Sequence, residues 1–147
     1  MSAPVPYFHF SGTAADALDT WQQVFGGTVE RHTFAEFGRQ DGPGDAIAHG
    51  ELRGPVDVFA ADTADGEHPT VVDGVLFALL GAADAATSAR WFDALAEGGT
   101  VLDPLTLRPW GDHDGQVRDR FGVTWLIGFQ GPAAGAAPTA DQAPAAD

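Results

Sequence analysis

Two hydrophobic periods alternate along this chain, and the alternation occurs twice. Val5–Phe10 is an apolar run of strand length. Thr13–Phe25 then places Ala17, Leu18, Trp21, Val24 and Phe25 at helical spacing, with one apolar face. Thr28–Phe34 returns to a period of two: Val29, Arg31 and Thr33 on one side, Thr28, Glu30, His32 and Phe34 on the other. Ala46–Leu52 and Val56–Ala61 read as two strands joined at Gly54-Pro55. The order then recurs. Val71–Leu80 is a strand, Asp84–Glu97 a helix with Ala85, Ala89, Phe92, Leu95 and Ala96 on one face, and Thr100–Leu107 a strand. Pro104 makes that strand bulged or an edge. Gln116–Asp119 and Val123–Phe129 form a last hairpin around Arg120–Gly122. Glu36–Asp45 and Arg108–Gly115 read as polar loops, and Asp62–Thr70 as the link between halves.

The junction of helix and following strand is spelled identically in both halves. Gly26-Gly27-Thr28-Val29 and Gly98-Gly99-Thr100-Val101 are both GGTV. Glycine past a helix end takes the left-handed backbone that stops it. Two unrelated helices can share that stop signal, but here the flanking elements also match, which points to a duplicated βαβββ unit. The reading is α+β, with module 1 over about residues 4–64 and module 2 over about 71–130 of one domain. Ser11 or Thr13 is a candidate cap for the first helix, and Asp84 for the second. Residues 131–147 are almost all alanine, proline, glycine and aspartate, a composition expected to be disordered.

Composition narrows the chemistry. The 147 residues include no cysteine, which removes disulfides, thiolate metal ligands and a thiol nucleophile. Net charge is −14, and every basic residue is arginine, as in GC-rich bacterial genomes. So acidic a surface repels phosphate backbones, and no nucleic-acid partner is expected. Mean hydropathy is near zero and no run reaches membrane-spanning length, so no membrane association and a cytoplasmic location are expected. No phosphate loop, dinucleotide fingerprint or Ser-His-Asp arrangement is present.

Three stretches resemble a known family. They are Pro6-Tyr7-Phe8 with the helix ending Phe25-Gly26-Gly27, then Ala46-Ile47-Ala48-His49-Gly50-Glu51-Leu52, and then Arg90-Trp91-Phe92-Asp93 with Trp110-Gly111 and Asp119-Arg120-Phe121-Gly122-Val123 before Trp125. Together they span Pro6 to Phe129. The chain is similar to the vicinal oxygen chelate superfamily (glyoxalase, bleomycin-resistance proteins and extradiol dioxygenases), and within it to the PhnB-like branch. The resemblance implies two βαβββ modules whose curved sheets enclose a ligand cavity, and a homodimer. It also implies, for the superfamily's metal enzymes, His and Glu ligands on the first and fourth strands of each half. Here those positions fall at Pro6 and His9, near Phe59 or Ala60, at Leu76–Leu80, and near Trp125–Ile127. The usual four-ligand set is absent, and no cofactor is expected.

Other residues are candidates for the site. His49 and Glu51 lie two apart on a strand and so share a face. They read as an oriented acid–base pair, as part of an unusual divalent-metal site with His9, or as ordinary strand residues hydrogen-bonded and solvated. Tyr7 and His9 share a parity opposite to Phe8 and Phe10. If the two phenylalanines pack under the helix, Tyr7 and His9 face a ligand. Trp110 and Trp125 are aromatic surfaces for a flat ligand, or core. Asp119, at a hairpin corner, reads as a cap on backbone N–H groups. The expected function is binding of a small apolar or aromatic molecule, as in resistance-type sequestration. The alternative is a glyoxalase-like lyase or isomerase, or a dioxygenase, that uses His49 and Glu51 with or without a metal.

Overall fold

Two four-stranded sheets, each with one helix, are built from consecutive stretches of chain. The computed structural model describes residues 3–131; the tail expected beyond Gly131 lies outside the described residues. The chain divides into two compact units, Met1–Gly74 and Val75–Asp147. The architecture is α+β, with the strand–helix–strand–strand–strand order present in each unit.

The first unit runs β1 (Tyr7–Phe10), α1 (Ala14–Phe25), β2 (Thr28–Thr33), β3 (Ile47–Arg53) and β4 (Val58–Asp62). Its sheet order is β1-β4-β3-β2, with β1 and β4 parallel and the other pairs antiparallel. Strand parity decides what lies under α1. Phe8 and Phe10 are buried, and their rings sit 5.7 and 6.0 Å from that of Trp21, which is fully buried with Ala17 and Leu18. Burying one side chain of this size contributes about 2–3 kcal/mol, so this face holds the helix in place. Tyr7 and His9 therefore point the other way, as the alternation implies.

Three local details depart from the sequence reading. Thr13 makes no capping hydrogen bond through its side chain. The start of α1 is served instead by Asp62 of β4, whose Oδ1 accepts from the N–H groups of Gly12 and Ala14, each at 3.0 Å. A buried carboxylate beside helix N–H donors also meets the positive end of the helix dipole. Its Oδ2 accepts from the N–H of Ile47 at 2.8 Å, so one side chain ties α1, β3 and β4 together. Second, β3 is bulged. His49 pairs with His32 but Ile47 with Thr33, leaving Ala48 extra. The bulge turns Ile47 into the core, where strict alternation would have set it beside His49. Third, the expected strand over Val71–Leu80 is only Phe77–Leu80, because Gly74 turns at φ +71° and Val71 and Val75 stay exposed without strand pairing.

The second unit runs β5 (Phe77–Leu80), α2 (Ala85–Ala96), β6 (Thr100–Leu107), β7 (His113–Arg118) and β8 (Thr124–Phe129), in sheet order β5-β8-β7-β6. Asp84 caps α2 by accepting from the N–H of Thr87 at 2.7 Å. β6 is an edge strand with register shifts on both sides of Asp103, as Pro104 requires. His113 and Asp114 begin β7 instead of belonging to the preceding loop.

The twin GGTV junctions have a common physical reason. Gly27 has φ +105°, and a Cβ there would collide with the carbonyl of Arg53 at the end of β3. A Cβ on Gly99 would collide in the same way with the carbonyl of Arg118 at the end of β7. In both units the second glycine lets the helix-to-strand turn close on the end of the neighbouring strand. No helix among the described residues is long and apolar enough to cross a membrane.

Candidate functional site

The face of the first sheet opposite α1 carries a continuous hydrogen-bonded row. Tyr7 Oη lies 2.7 Å from His49 Nδ1, His49 Nε2 lies 2.9 Å from Glu51 Oε1, and Arg53 Nε donates to Glu51 Oε2 at 3.0 Å. Strand geometry explains the row. His49, Glu51 and Arg53 are alternate residues of β3 and share its open face. Tyr7 sits on β1, with only β4 between it and β3, in register with Phe59, which itself pairs with Glu51. A tyrosine is long enough to reach diagonally over β4 to His49.

Gly50 makes this side of β3 possible from behind. A Cβ there would collide with Leu18 of α1, so a glycine between His49 and Glu51 lets the helix pack while its neighbours stay on the far face.

Aromatic rings floor the row. His9 stacks on Tyr7 at 5.0 Å and 16°, and the Phe59 ring stands steeply inclined to those of Tyr7 and His49, at 86° and 70°, with centroids 5.9 and 5.6 Å away. The Arg53 guanidinium lies 4.5 Å from the Phe59 centroid. Tyr7 is 38% exposed, and His49 and Glu51 are half-buried, so the face is open enough to meet a ligand.

Electrostatics fix the proton positions. The hydrogen bond from His49, then that from Arg53, holds the Glu51 carboxyl below the ordinary glutamate range. An ionised carboxylate only accepts, so the imidazole must carry its proton on Nε2. Burial, and then the negative charge of Glu51, pushes the Tyr7 phenol up. The hydroxyl therefore keeps its proton. Both imidazole nitrogens are engaged inside the protein.

The sequence candidates separate into two groups. Tyr7, His9, His49 and Glu51 come together on this one face. Trp110 and Trp125 belong to the second unit. Trp125 is 1% exposed on the face of β8 that includes buried Ile127, and its Nε1 donates to Asp119 Oδ2 at 2.9 Å, so it fills core. Asp119 also accepts from the N–H groups of Phe121 and Val123, which makes it the cap of this hairpin. Trp110 is 67% exposed and borders a cleft of about 310 Å³ with Leu80, Asp112, His113 and Phe129.

Arg53 and Phe59 are the site residues that the sequence reading did not single out. Arg53 was within reach, because it continues the His49–Glu51 parity. Phe59 was marked only as a fourth-strand position without a metal-binding side chain; that its ring joins the row was not legible, because a single aromatic in an apolar strand carries no sign of which face it takes.

The donor set does not fit the superfamily's divalent metal. The open-face positions on β1 and β4 are Tyr7, His9, Phe59 and Ala61. On β5 and β8 of the second unit they are Ala78, Leu80, Leu126 and Gly128. These hold one imidazole and no carboxylate. Among the described residues no three His, Cys, Asp or Glu side chains are grouped to hold a metal, His9, His49 and Glu51 included.

Residues 7–127 match the Glyoxalase/Bleomycin resistance protein/Dioxygenase superfamily. The chain is 28% identical over 136 residues to Protein YjdN of Escherichia coli (strain K12), covering 83% of this chain and 91% of that one. It is similar to the crystal structure of protein PA1353 from Pseudomonas aeruginosa, with a TM-score of 0.73 and 32% identity over 88% of this chain and 98% of the other. A PhnB protein from Bacillus cereus, described as a putative 3-demethylubiquinone-9 3-methyltransferase, shares the fold at a TM-score of 0.70 and 17% identity, over 88% of this chain and 98% of that one. This chain belongs to the Glyoxalase/Bleomycin resistance protein/Dioxygenase superfamily.

Proposed function

We propose that the open face of the first sheet binds a small organic molecule with a flat apolar body, and that the protein holds this molecule without transforming it. The observation that carries the reading is the engagement of both nitrogens of His49, one by Tyr7 and the other by Glu51. A general base needs a free lone pair within reach of its substrate. His49 has none unless Tyr7 moves. Tyr7 itself, with its phenol pushed up, is a poor base. What remains is a preorganised surface of rings and fixed hydrogen-bonding groups, suited to recognition. Sequestration agrees with the bleomycin-resistance part of the superfamily's name. A homodimer, implied by the resemblance, is part of the same proposal and is read by light scattering.

The test is calorimetric titration with a panel of flat apolar compounds found by thermal shift. Binders should lose about tenfold or more in affinity in Phe59→Ala and Tyr7→Ala, from the stacking area removed. Binders whose affinity both variants leave intact would place the ligand elsewhere and end the reading.

One observation favours a second reading. Glu51 orients and polarises His49 in the manner of an acid–base pair. If Tyr7 swings away on substrate binding, Nδ1 becomes a base. In that case a turnover found for any substrate would disappear in His49→Ala while the substrate's dissociation constant changed little.

A further inference from the structure

We infer that Tyr7 selects the ligand by hydrogen-bond polarity: with His49 neutral the site takes a ligand group that donates an N–H or O–H, and with His49 protonated it takes one that accepts. The inference deepens the binding proposal and rests on it. It follows from counting protons along the row. Glu51 is salt-bridged by Arg53 and can only accept, so Nε2 of His49 donates to it in either charge state. In the neutral imidazole, Nδ1 is then bare. The 2.7 Å contact can form only if the Tyr7 O–H donates to it. The phenol's one proton is committed inward, and its oxygen offers the ligand nothing but lone pairs. Protonating His49 puts a proton on Nδ1. That N–H now donates to the Tyr7 oxygen, and the phenol O–H is released to point outward as a donor. One proton thus inverts the polarity that Tyr7 presents, without moving a heavy atom.

Other charged groups share this face. On β1 it is His9, stacked on Tyr7. On β2 they are Glu30 and His32, opposite Glu51 and His49 in register, and on β3 Glu51 and Arg53. β4 contributes Phe59 and Ala61, which do not titrate. Among the described residues only His49 touches the Tyr7 oxygen through a titrating nitrogen, so the inversion follows His49 and not its neighbours.

The experiment uses two probes of nearly equal shape, 2-naphthol, which donates, and 2-methoxynaphthalene, which only accepts. Dissociation constants are measured by calorimetry at two pH values that bracket the His49 titration, itself followed through the imidazole NMR resonances of the whole chain. Above that titration naphthol should bind about five- to tenfold tighter, the worth of one hydrogen bond. Below it the advantage should vanish, because the methoxy oxygen can now accept from Tyr7. Tyr7→Phe should make the ratio the same at both pH values. A purely structural tyrosine would instead lower both affinities together and leave the ratio alone. His9→Gln and His32→Gln should keep the pH-dependent change, and His49→Ala should abolish it. Equal affinities for the two probes at both pH values, or a ratio that Tyr7→Phe does not alter, would overturn the polarity inference while leaving binding intact. Failure of both probes to bind at about 1 mM at both pH values would overturn both.

Discussion

Replacing Asp62 by alanine should cost the first unit a large share of its stability, and the structure sets the size of the loss. The carboxylate accepts three backbone N–H groups, from Gly12, Ala14 and Ile47, at 2.8–3.0 Å. The bonds to Ala14 and Ile47 are buried; that to Gly12 is partly exposed and its N–H can turn to water. Two donors are therefore left buried without partners, at about 1–3 kcal/mol each. Loss of the negative charge beside the α1 N-terminus adds about 0.5–1 kcal/mol. The sum is about 2.5–7 kcal/mol, against a typical total of about 5–15 kcal/mol for a domain. The assay is urea unfolding, which should show a lower midpoint at unchanged slope. Because the chain has two compact units, amide hydrogen exchange at Ala14 and Ile47 supplies the local measure. Asp57→Ala is the control, since its bond to the Gly54 N–H is exposed, and it should cost under about 1 kcal/mol. If Asp62→Ala lay within about 1 kcal/mol of the wild type, the claim that this carboxylate staples α1 to the sheet would be wrong.

Other outcomes follow from the same geometry. The Glu51 carboxyl is held low in the folded chain, so its pairing contributes stability that is complete above the unfolded glutamate value of about 4.3 and is lost as pH falls through the lower folded value. Carboxyl NMR titration should show Glu51 rising toward the ordinary range in His49→Ala and in Arg53→Ala; an unmoved titration would refute the assigned causes. Gly27→Ala should destabilise by about 2–4 kcal/mol, from positive φ together with collision with the Arg53 carbonyl. Gly12→Ala, with φ +95° and open space around it, should cost only the backbone strain of about 1–2 kcal/mol. Equal losses in thermal unfolding of the two variants would remove the close approach as the reason for the GGTV junction.

Much of the candidate site was legible because strand periodicity is a local property. Once Ala46–Leu52 is a strand, His49 and Glu51 must share a face. Once Phe8 and Phe10 pack under a helix, Tyr7 and His9 must oppose them. The bulge at Ala48 was hidden. It depends on pairing with β2, where Asp62 fixes the start of β3 from another strand. The role of Trp125 was open for the same reason: an aromatic in a strand suits core or ligand equally, and only its bond to Asp119 and its burial decide.

By itself the sequence determined the repeat, the two helices with their glycine stops, the strand parities and the family, because these depend on neighbours within a few residues or on motif order. Tertiary structure alone decided that Tyr7 meets His49 across 42 positions, that Phe59 lies beneath both, and that Asp62 caps a helix from 48 residues away. Each of these contacts is set by sheet order. A sheet that places β4 between β1 and β3 brings together side chains whose separation along the chain carries no information about their distance in space.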